Sequence, residues 1–222
     1  MLWKGRNGAL EADLRPYTTV SSPSEIEWIE KRSRFIGRCW PVEDEAQALA
    51  ILERVKKDCW DATHNCYAYA LKNGVARYSD DGEPSKTAGL PMMEGVKHIG
   101  VTDLLVIVTR YFGGVLLGAG GLVRAYSKVA CDAIRAAGLV RMLPCRSFSL
   151  CVPYPYWNTV KSICEQYGRI GETAFVQDVR CTVWVQETSA DAFCRALTDR
   201  TEGRISAEPI GCDRFPFPIP ED

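Results

Sequence analysis

The sequence predicts an α+β protein made of two α/β-sandwich domains, and two observations support this. First, a buried apolar strand leads through a glycine-rich segment into a long helix that Gly138 closes, and the residue pattern changes there. Second, residues 139–213 are predicted to form strand, helix, strand, strand, helix and strand, which is the order of the ferredoxin-like fold. We therefore expect an N-terminal domain over residues 1–138 and a ferredoxin-like domain with a proline-rich tail over residues 139–222. Each sheet should be covered by helices on one face.

The first predicted domain alternates strands with helices. Acidic residues begin the periodic apolar stretch 43–59 and lysines end it, as is usual for a helix. Asn73-Gly74 separates two short alternating runs and predicts a hairpin, whereas residues 79–91 are polar and rich in turn formers. In chain order we predict strands at 18–30 and 34–40, a helix at 43–59, strands at 64–71 and 75–78, the end of a short helix at 96–99, a strand at 104–108 and a helix at 123–137.

The second predicted domain has shorter elements. Ser189 is a candidate N-cap for its last helix, and the proline-rich residues 215–220 are expected to lie as a tail on the surface. The predicted elements are a strand at 139–153, a helix at 156–167, strands at 169–177 and 180–186, a helix at 189–200 and a strand at 205–212.

Composition narrows the class of protein. The chain has 222 residues and a net charge of −1, so strong nucleic-acid binding driven by bulk charge is not expected. Its ten cysteines include no Cys-x-x-Cys pair and only two histidines accompany them, so we expect neither a metal site nor a cofactor. No apolar run has membrane-spanning length, and the first residues lack a signal-peptide core. We predict a cytoplasmic protein without membrane partners, whose cysteines are mostly buried and reduced.

The glycine-rich segment between the strand at 104–108 and the following helix is the first candidate site. A helix start offers unpaired N–H groups and a positive dipole end, which together favour an anion such as phosphate. The spacing matches neither Walker A nor the dinucleotide-binding fingerprint. The alternative is a tight strand-to-helix connection whose arginines pair internally with Asp80, Asp81 or Glu83. The candidate anion- or nucleic-acid-binding residues are Arg110, Gly113, Gly114, Gly118, Gly120, Gly121 and Arg124.

Two polar segments form the second candidate site. Their adjacent carboxylates and hydroxyls are compatible with ligand binding or acid–base chemistry, and His64 beside Cys66 would suit a thiol nucleophile. The same residues are also those that build a turn and cap a following helix. No metalloprotease or nucleophile-elbow motif accompanies them, so we expect no peptidase activity. The candidate residues are His64, Asn65, Tyr67, Asp80, Asp81, Glu83, Ser85 and Thr87.

Four motifs in order resemble those of the YigZ/IMPACT family. The resemblance covers roughly residues 18–138, and three positions depart from the family pattern. Lys86 stands where glycine is usual, Ala70 where arginine is common, and Leu117 where a lysine often precedes the second glycine group. The motifs are Ser33-Arg34-Phe35-Ile36-Gly37, Ala62-Thr63-His64-Asn65-Cys66-Tyr67-Ala68-Tyr69, Ser79-Asp80-Asp81-Gly82-Glu83-Pro84-Ser85, and the segment from Val108 to Tyr126.

The resemblance implies a fold and a field of function. It implies a ribosomal-protein-like βαβ fold, as in a domain of elongation factor G, for the first domain, and a likeness to that factor's last domain for the second. Eukaryotic relatives regulate translation, and no accepted catalytic residues come with the family. We therefore expect a non-enzymatic, translation-linked protein that binds RNA, a ribosome-associated protein or an anionic ligand. The alternatives are an enzyme acting on a phosphorylated or nucleotide substrate and a plain protein-interaction module.

Overall fold

The computed structural model describes residues 15–219, which form two compact units, Tyr17–Arg141 and Met142–Phe217. The two-domain α+β class predicted from the sequence is confirmed at this level. Residues 1–14 and 220–222, which the predicted domains include, lie outside the described residues.

The first unit is built on a five-stranded antiparallel sheet. Its strands lie side by side in the order β2, β3, β6, β4, β5. The central strand β6 is buried along almost its whole length, as its run of apolar residues predicts. The elements are β1 (Tyr17–Val20), β2 (Ser24–Glu30), β3 (Ser33–Pro41), α1 (Glu45–Asp58), β4 (His64–Ala70), β5 (Ala76–Ser79), α2 (Gly89–Ile99), β6 (Leu104–Tyr111) and α3 (Ala119–Ala136).

Helices cover both faces of this sheet, so the prediction of one covered face is wrong for the first unit. Phe35 and Val108 pack with α2 and α3 in one core. Leu105 and Ile107 pack with α1 in a second core. Neighbouring residues of a strand point to opposite faces, and β6 is apolar on both, so each face needs a cover.

One helix of the first unit begins earlier than the sequence predicts, and the start of another is not predicted although its end is. Helix α3 starts at Ala119 and not at 123, which places Gly120 and Gly121 in its first turn. Helix α2 occupies Gly89–Ile99, with Pro91 near its start, where the missing proline N–H costs nothing. In both cases glycine or proline conceals a helix start in the sequence.

The second unit has the predicted order of elements. Strand β9 lies between β8 and β7, and β10 pairs with β7. Helices α4 and α5 supply Ile163 and Phe193 to a core shared with Phe148 and Val183. The elements are β7 (Leu139–Val152), α4 (Trp157–Tyr167), β8 (Gly168–Phe175), β9 (Val179–Gln186), α5 (Ala190–Arg200) and β10 (Glu208–Pro218), with short 3-10 turns at Tyr154–Tyr156 and Glu187–Ser189.

One prediction for this unit holds in part and a second needs correction. Ser189 stands at the predicted N-cap position of α5, but its side chain makes no capping hydrogen bond, because it is the last residue of a 3-10 turn and its backbone is helical. The proline-rich residues are not a surface tail, since Phe215 lies in β10 and its ring stacks on Trp184 with centroids 5.4 Å apart. Proline does not disqualify this segment, because an edge strand tolerates it.

Two general properties complete the description. All ten cysteines are free thiols, and six of them are buried. Over residues 15–219, no helix is both long and apolar enough to cross a membrane.

Candidate functional site

The strand register brings both candidate segments to one end of the first sheet. Arg34 at the start of β3 pairs with Tyr111 at the end of β6, and His64 at the start of β4 pairs with Arg110. The turn at 31–32, the loop at 59–63 and the glycine-rich loop at 112–118 therefore lie at the same end of the sheet. We call this end the loop end of the first unit.

The glycine-rich loop needs glycine for two different reasons. A Cβ on Gly113 would lie 2.0 Å from the carbonyl oxygen of Arg32, so only glycine permits this close approach of two backbones. Gly114 and Gly118 have φ of 80° and 74°, a conformation that side chains rarely adopt, but a Cβ on either would meet no atom within 4 Å. The loop thus serves in part as a packing device.

The start of α3 keeps two donors available. The N–H groups of Gly121 and Leu122 donate to the carbonyl oxygen of Gly118, at 3.1 and 3.0 Å. The N–H groups of Ala119 and Gly120 have no partner among the described residues, and both residues are exposed. Arg124, also exposed and without an ion pair within residues 15–219, reaches back so that its Nη1 would lie 3.7 Å from a Cβ on Gly120. These groups are available to an anion, and anion binding at this turn stays a prediction.

Arg110 is instead engaged inside the protein, as the alternative prediction allowed. Its Nη1 donates to Oε1 of Glu83 at 2.5 Å, and the two side chains are only 6% and 3% exposed. The guanidinium lies 5.4 and 5.5 Å from the ring centres of Phe35 and Phe112. Its buried Nε has no hydrogen-bond partner within the described part of the chain. Tyr126 also donates to Oε1 of Glu83, at 2.8 Å.

His64 stands beside this ion pair. Its Nδ1 lies 2.8 Å from the carbonyl oxygen of Asp81, and because a carbonyl only accepts, we assign the proton to Nδ1. Its Nε2 lies 3.8 Å from Oε1 of Glu83. The structure therefore brings His64, Glu83 and Arg110 together, three residues that come from different predicted segments.

A cavity of about 360 Å³ opens above these three side chains. Its walls are mainly apolar and come from the glycine-rich loop and the first turn of α3. It is lined by Thr63, His64, Glu83, Pro84, Arg110, Phe112, Leu116, Leu117, Gly118, Ala119 and Leu122.

The two aspartates of the second segment serve the backbone. The carboxylate of Asp80 accepts the N–H groups of Lys86, Ala88 and Gly89 at 2.8, 3.0 and 2.8 Å, which closes the turn and caps α2. Asp81 accepts the N–H of Asn65 at 2.6 Å. Neither carboxylate lines the cavity: that of Asp80 closes the turn and caps α2, whereas that of Asp81 joins the turn to β4.

The remaining predicted residues lie away from the cavity. Asn65 is on the opposite face of β4 and its Oδ1 accepts from Thr109 at 2.8 Å. Tyr67 stacks on Tyr69 with parallel rings 6.1 Å apart. The hydroxyl of Thr87 donates to the carbonyl oxygen of Pro84, at 2.6 Å, and Ser85 is exposed on the same turn.

Cys66 is not arranged as a nucleophile. Burial raises the pKa of its thiol to about 12, and the thiol donates to the carbonyl oxygen of Asp80 at 3.0 Å. Burial likewise raises the pKa of Tyr126. Both groups are therefore neutral hydrogen-bond donors near pH 7, whereas a reactive cysteine needs a lowered pKa. Over residues 15–219, no group of three His, Cys, Asp or Glu side chains could hold a metal ion.

The sequence analysis missed several residues of the loop end. Tyr126 lies on the apolar face of α3, where its hydroxyl gives no signal. Trp60 and Leu116 are 83% and 82% exposed. Turns and glycine-rich loops normally carry small or polar side chains. Large apolar residues in such segments are therefore the sequence signal that would have indicated an exposed binding surface here.

Comparison with known proteins identifies both units. The family model of the Impact N-terminal domain matches residues 31–134. A second model, described as a domain of unknown function, DUF1949, matches residues 150–204. A solved structure, titled "Crystal structure of an hypothetical protein", is 29% identical, covers 88% of this chain and 98% of its own, and superposes with a TM-score of 0.57.

Two bacterial relatives match over most of their length. The IMPACT family member YvyE of Bacillus subtilis is 35% identical over 194 residues, which cover 86% of this chain and 89% of that protein. YigZ of Escherichia coli is 31% identical, over 88% of this chain and 97% of its own. The Protein IMPACT homolog of Dictyostelium discoideum is 37% identical over 95 residues, which are 40% of this chain and 27% of that protein. The chain therefore belongs to the IMPACT family.

Proposed function

We propose that this protein is a non-enzymatic, translation-linked RNA-binding protein, and that single-stranded RNA binds at the loop end of its first unit. The observation that carries the proposal is the combination of exposed aromatic rings with free N–H groups and a free arginine. Trp60 is 83% and Phe112 47% exposed, and Phe112 lines the same cavity as Ala119, whose N–H group has no partner within the described residues.

The two rings belong to adjoining loops. The N–H of Thr63 donates to the carbonyl oxygen of Arg110 at 2.9 Å, and the N–H of Phe112 donates to the Thr63 hydroxyl at 3.1 Å. The loop that carries Trp60 is therefore joined to Arg110 and to Phe112. Exposed rings are stacking platforms for unpaired bases, and each such stack contributes about 1–3 kcal/mol.

Charge at this end favours phosphate. Lys31, Arg32 and Arg124 are exposed there, while the acidic Asp61 accepts a hydrogen bond from Tyr111 at 3.3 Å. The net charge of −1 means that affinity would come from this local arrangement and not from a diffuse field. Such a site predicts a shallow salt dependence, because only a few phosphates are contacted.

Binding of a labelled single-stranded RNA oligonucleotide, followed by fluorescence anisotropy, tests the proposal. Trp60→Ala should weaken binding roughly fivefold or more if it removes one stacked base. Arg124→Ala should weaken binding and lower the salt slope by about 1. Matched controls are Leu49→Ala, an exposed apolar residue of α1, and Arg135→Ala, an exposed arginine in the last turn of α3.

Absence of RNA binding by the wild-type chain, or equal affinities for Trp60→Ala and Leu49→Ala, would refute the proposal. In that case the exposed rings of the loop end would instead suit a protein partner, the interaction-module alternative. A translation-linked role also requires a cytoplasmic location, which the sequence predicts.

A second candidate is an enzyme acting on a phosphorylated or nucleotide substrate. It is favoured by one observation, the approach of His64 Nε2 to within 3.8 Å of Glu83 at the base of the cavity. However, the Glu83 carboxylate already accepts from Arg110 and Tyr126, so these hydrogen bonds occupy the oxygen that faces His64. Turnover of a nucleotide that disappears in His64→Ala would support this candidate over a pure binding role.

For the fold, we infer that the second unit is ferredoxin-like. The strand order β10, β7, β9, β8 supports this, because it is the order of the four strands in that fold. The ribosomal-protein-like, elongation-factor-G-like assignment of the first unit remains a proposal that rests on the family resemblance.

A further inference from the structure

We propose that the cavity beneath the glycine-rich loop receives one nucleobase, and that the phosphate of the same nucleotide binds at the first turn of α3. This inference rests on the proposed RNA-binding function and specifies its central contact.

The walls suit a flat, largely apolar body. Phe112, Leu116, Leu117 and Leu122 contribute apolar side chains to the lining of this cavity of about 360 Å³. Apolar walls with a few fixed polar groups are the usual construction of small-molecule sites. A bare phosphate or a sugar would leave these walls uncovered, whereas a heterocyclic ring would bury them.

The base of the cavity favours a neutral ligand. The Arg110–Glu83 ion pair brings one positive and one negative charge, so a charged group placed there would gain from one and be repelled by the other. A net charge on the ligand is therefore disfavoured at this depth, and the recognition has to come from hydrogen bonds.

The polar residues of the lining include His64, Glu83 and Arg110. Arg110 Nε has no hydrogen-bond partner within residues 15–219, but this atom is buried, so a ligand in the cavity does not contact it. Because the proton of His64 is assigned to Nδ1, its Nε2 is available as an acceptor. This acceptor complements the N–H donors on the edge of a nucleobase.

The rim completes the site. Gly118 and Ala119 line the cavity, so the unpartnered N–H groups of Ala119 and Gly120 lie at its edge. Arg124 extends over the same turn. The positive end of a helix with a nearby guanidinium favours phosphate. A nucleotide that places its base inside would therefore find its phosphate at α3.

The test uses 5′-mononucleotides, ribose 5-phosphate and inorganic phosphate as probes, with affinities from isothermal titration calorimetry. If a base occupies the cavity, at least one mononucleotide should bind about tenfold more tightly than ribose 5-phosphate. Leu117→Trp fills the cavity and should abolish that difference. Val115→Trp, in the same loop but outside the lining, should preserve it.

A second variant tests the inference if Leu117→Trp does not fold. Phe112→Ala removes one wall without adding volume, and it should weaken mononucleotide binding while leaving ribose 5-phosphate unchanged. Arg124→Ala should weaken both probes by the same factor, because it removes only the phosphate contact.

The inference is overturned if ribose 5-phosphate binds as tightly as every mononucleotide, or if a folded Leu117→Trp or Phe112→Ala keeps the full difference. These outcomes are distinct from failure of the proposed function. RNA binding that is insensitive to Leu117→Trp would support the proposed function and refute the role of the cavity. Mononucleotide binding without RNA binding would support the cavity as a nucleotide site and refute the proposed function.

Discussion

Replacing Arg110 by methionine should destabilise the first unit strongly. Methionine keeps a long apolar side chain between the rings of Phe35 and Phe112, so packing is largely preserved. The charge that compensates Glu83 is lost, and Glu83 is only 3% exposed. Its carboxylate would then be buried with the Tyr126 hydroxyl as its remaining strong donor.

The expected magnitude follows from burial. Removing one partner of a buried ion pair typically costs about 3–5 kcal/mol, because an uncompensated charge stays in a poorly solvated site. With roughly 2–4 °C lost per kcal/mol in a protein of this size, the melting temperature should fall by roughly 6–20 °C.

Urea unfolding and thermal melting of four proteins measure this. Arg124→Met is the matched control, since Arg124 is exposed, and it should change stability by no more than about 0.5 kcal/mol. The double variant Arg110→Met with Glu83→Gln removes both charges and should recover much of the loss. A loss below about 1 kcal/mol in Arg110→Met, or no recovery in the double variant, would refute a buried and mutually compensating pair.

Three further predictions follow from backbone geometry and burial. Gly113→Ala should lower the free energy of unfolding in urea by more than about 2 kcal/mol, because its Cβ would lie 2.0 Å from a carbonyl oxygen. Gly114→Ala should lower it by only about 1 kcal/mol, because of its positive φ. Equal losses for the two variants would contradict this. Lys86 has φ of 64°, so Lys86→Gly should raise the free energy of unfolding by up to about 1 kcal/mol, and a destabilised variant would contradict the assignment of strain. Burial raises the pKa of Cys66 from 9.0 to about 12, so its contribution to stability is complete below pH 9 and is lost as the pH rises toward 12. Wild-type stability should therefore fall more steeply above pH 9 than that of Cys66→Ala, and parallel curves would argue against a raised pKa.

The sequence predicts most strands of the first unit, because alternation and turn residues are local signals. The hairpin at Asn73-Gly74 and the buried strand β6 are confirmed by the structure. The start of α3 could not be predicted, since Gly120 and Gly121 are poor helix formers and their place in the first turn depends on the carbonyl of Gly118.

The candidate site could be predicted only as a set of alternatives. Sequence reasoning proposes Asp80, Asp81 or Glu83 as the partner of Arg110, and the structure selects Glu83. The choice depends on a turn in which Asp81 and Lys86 have φ of 43° and 64°. In a turn, local dihedral angles set the direction of each side chain. Residue spacing in the sequence does not predict these angles.

The Asp80 turn also has a consequence for the entropy of ligand binding. By accepting three backbone N–H groups, a single carboxylate fixes the segment that carries Glu83 and Pro84, two residues of the cavity. That wall of the cavity is already ordered in the folded protein, so ligand binding loses no further conformational entropy there. The same segment cannot adapt easily to ligands of other shapes. Because this wall is rigid, the choice between ligands depends on the side chains of the glycine-rich loop. Substitutions at Leu116 and Leu117 are therefore the ones most expected to change ligand preference.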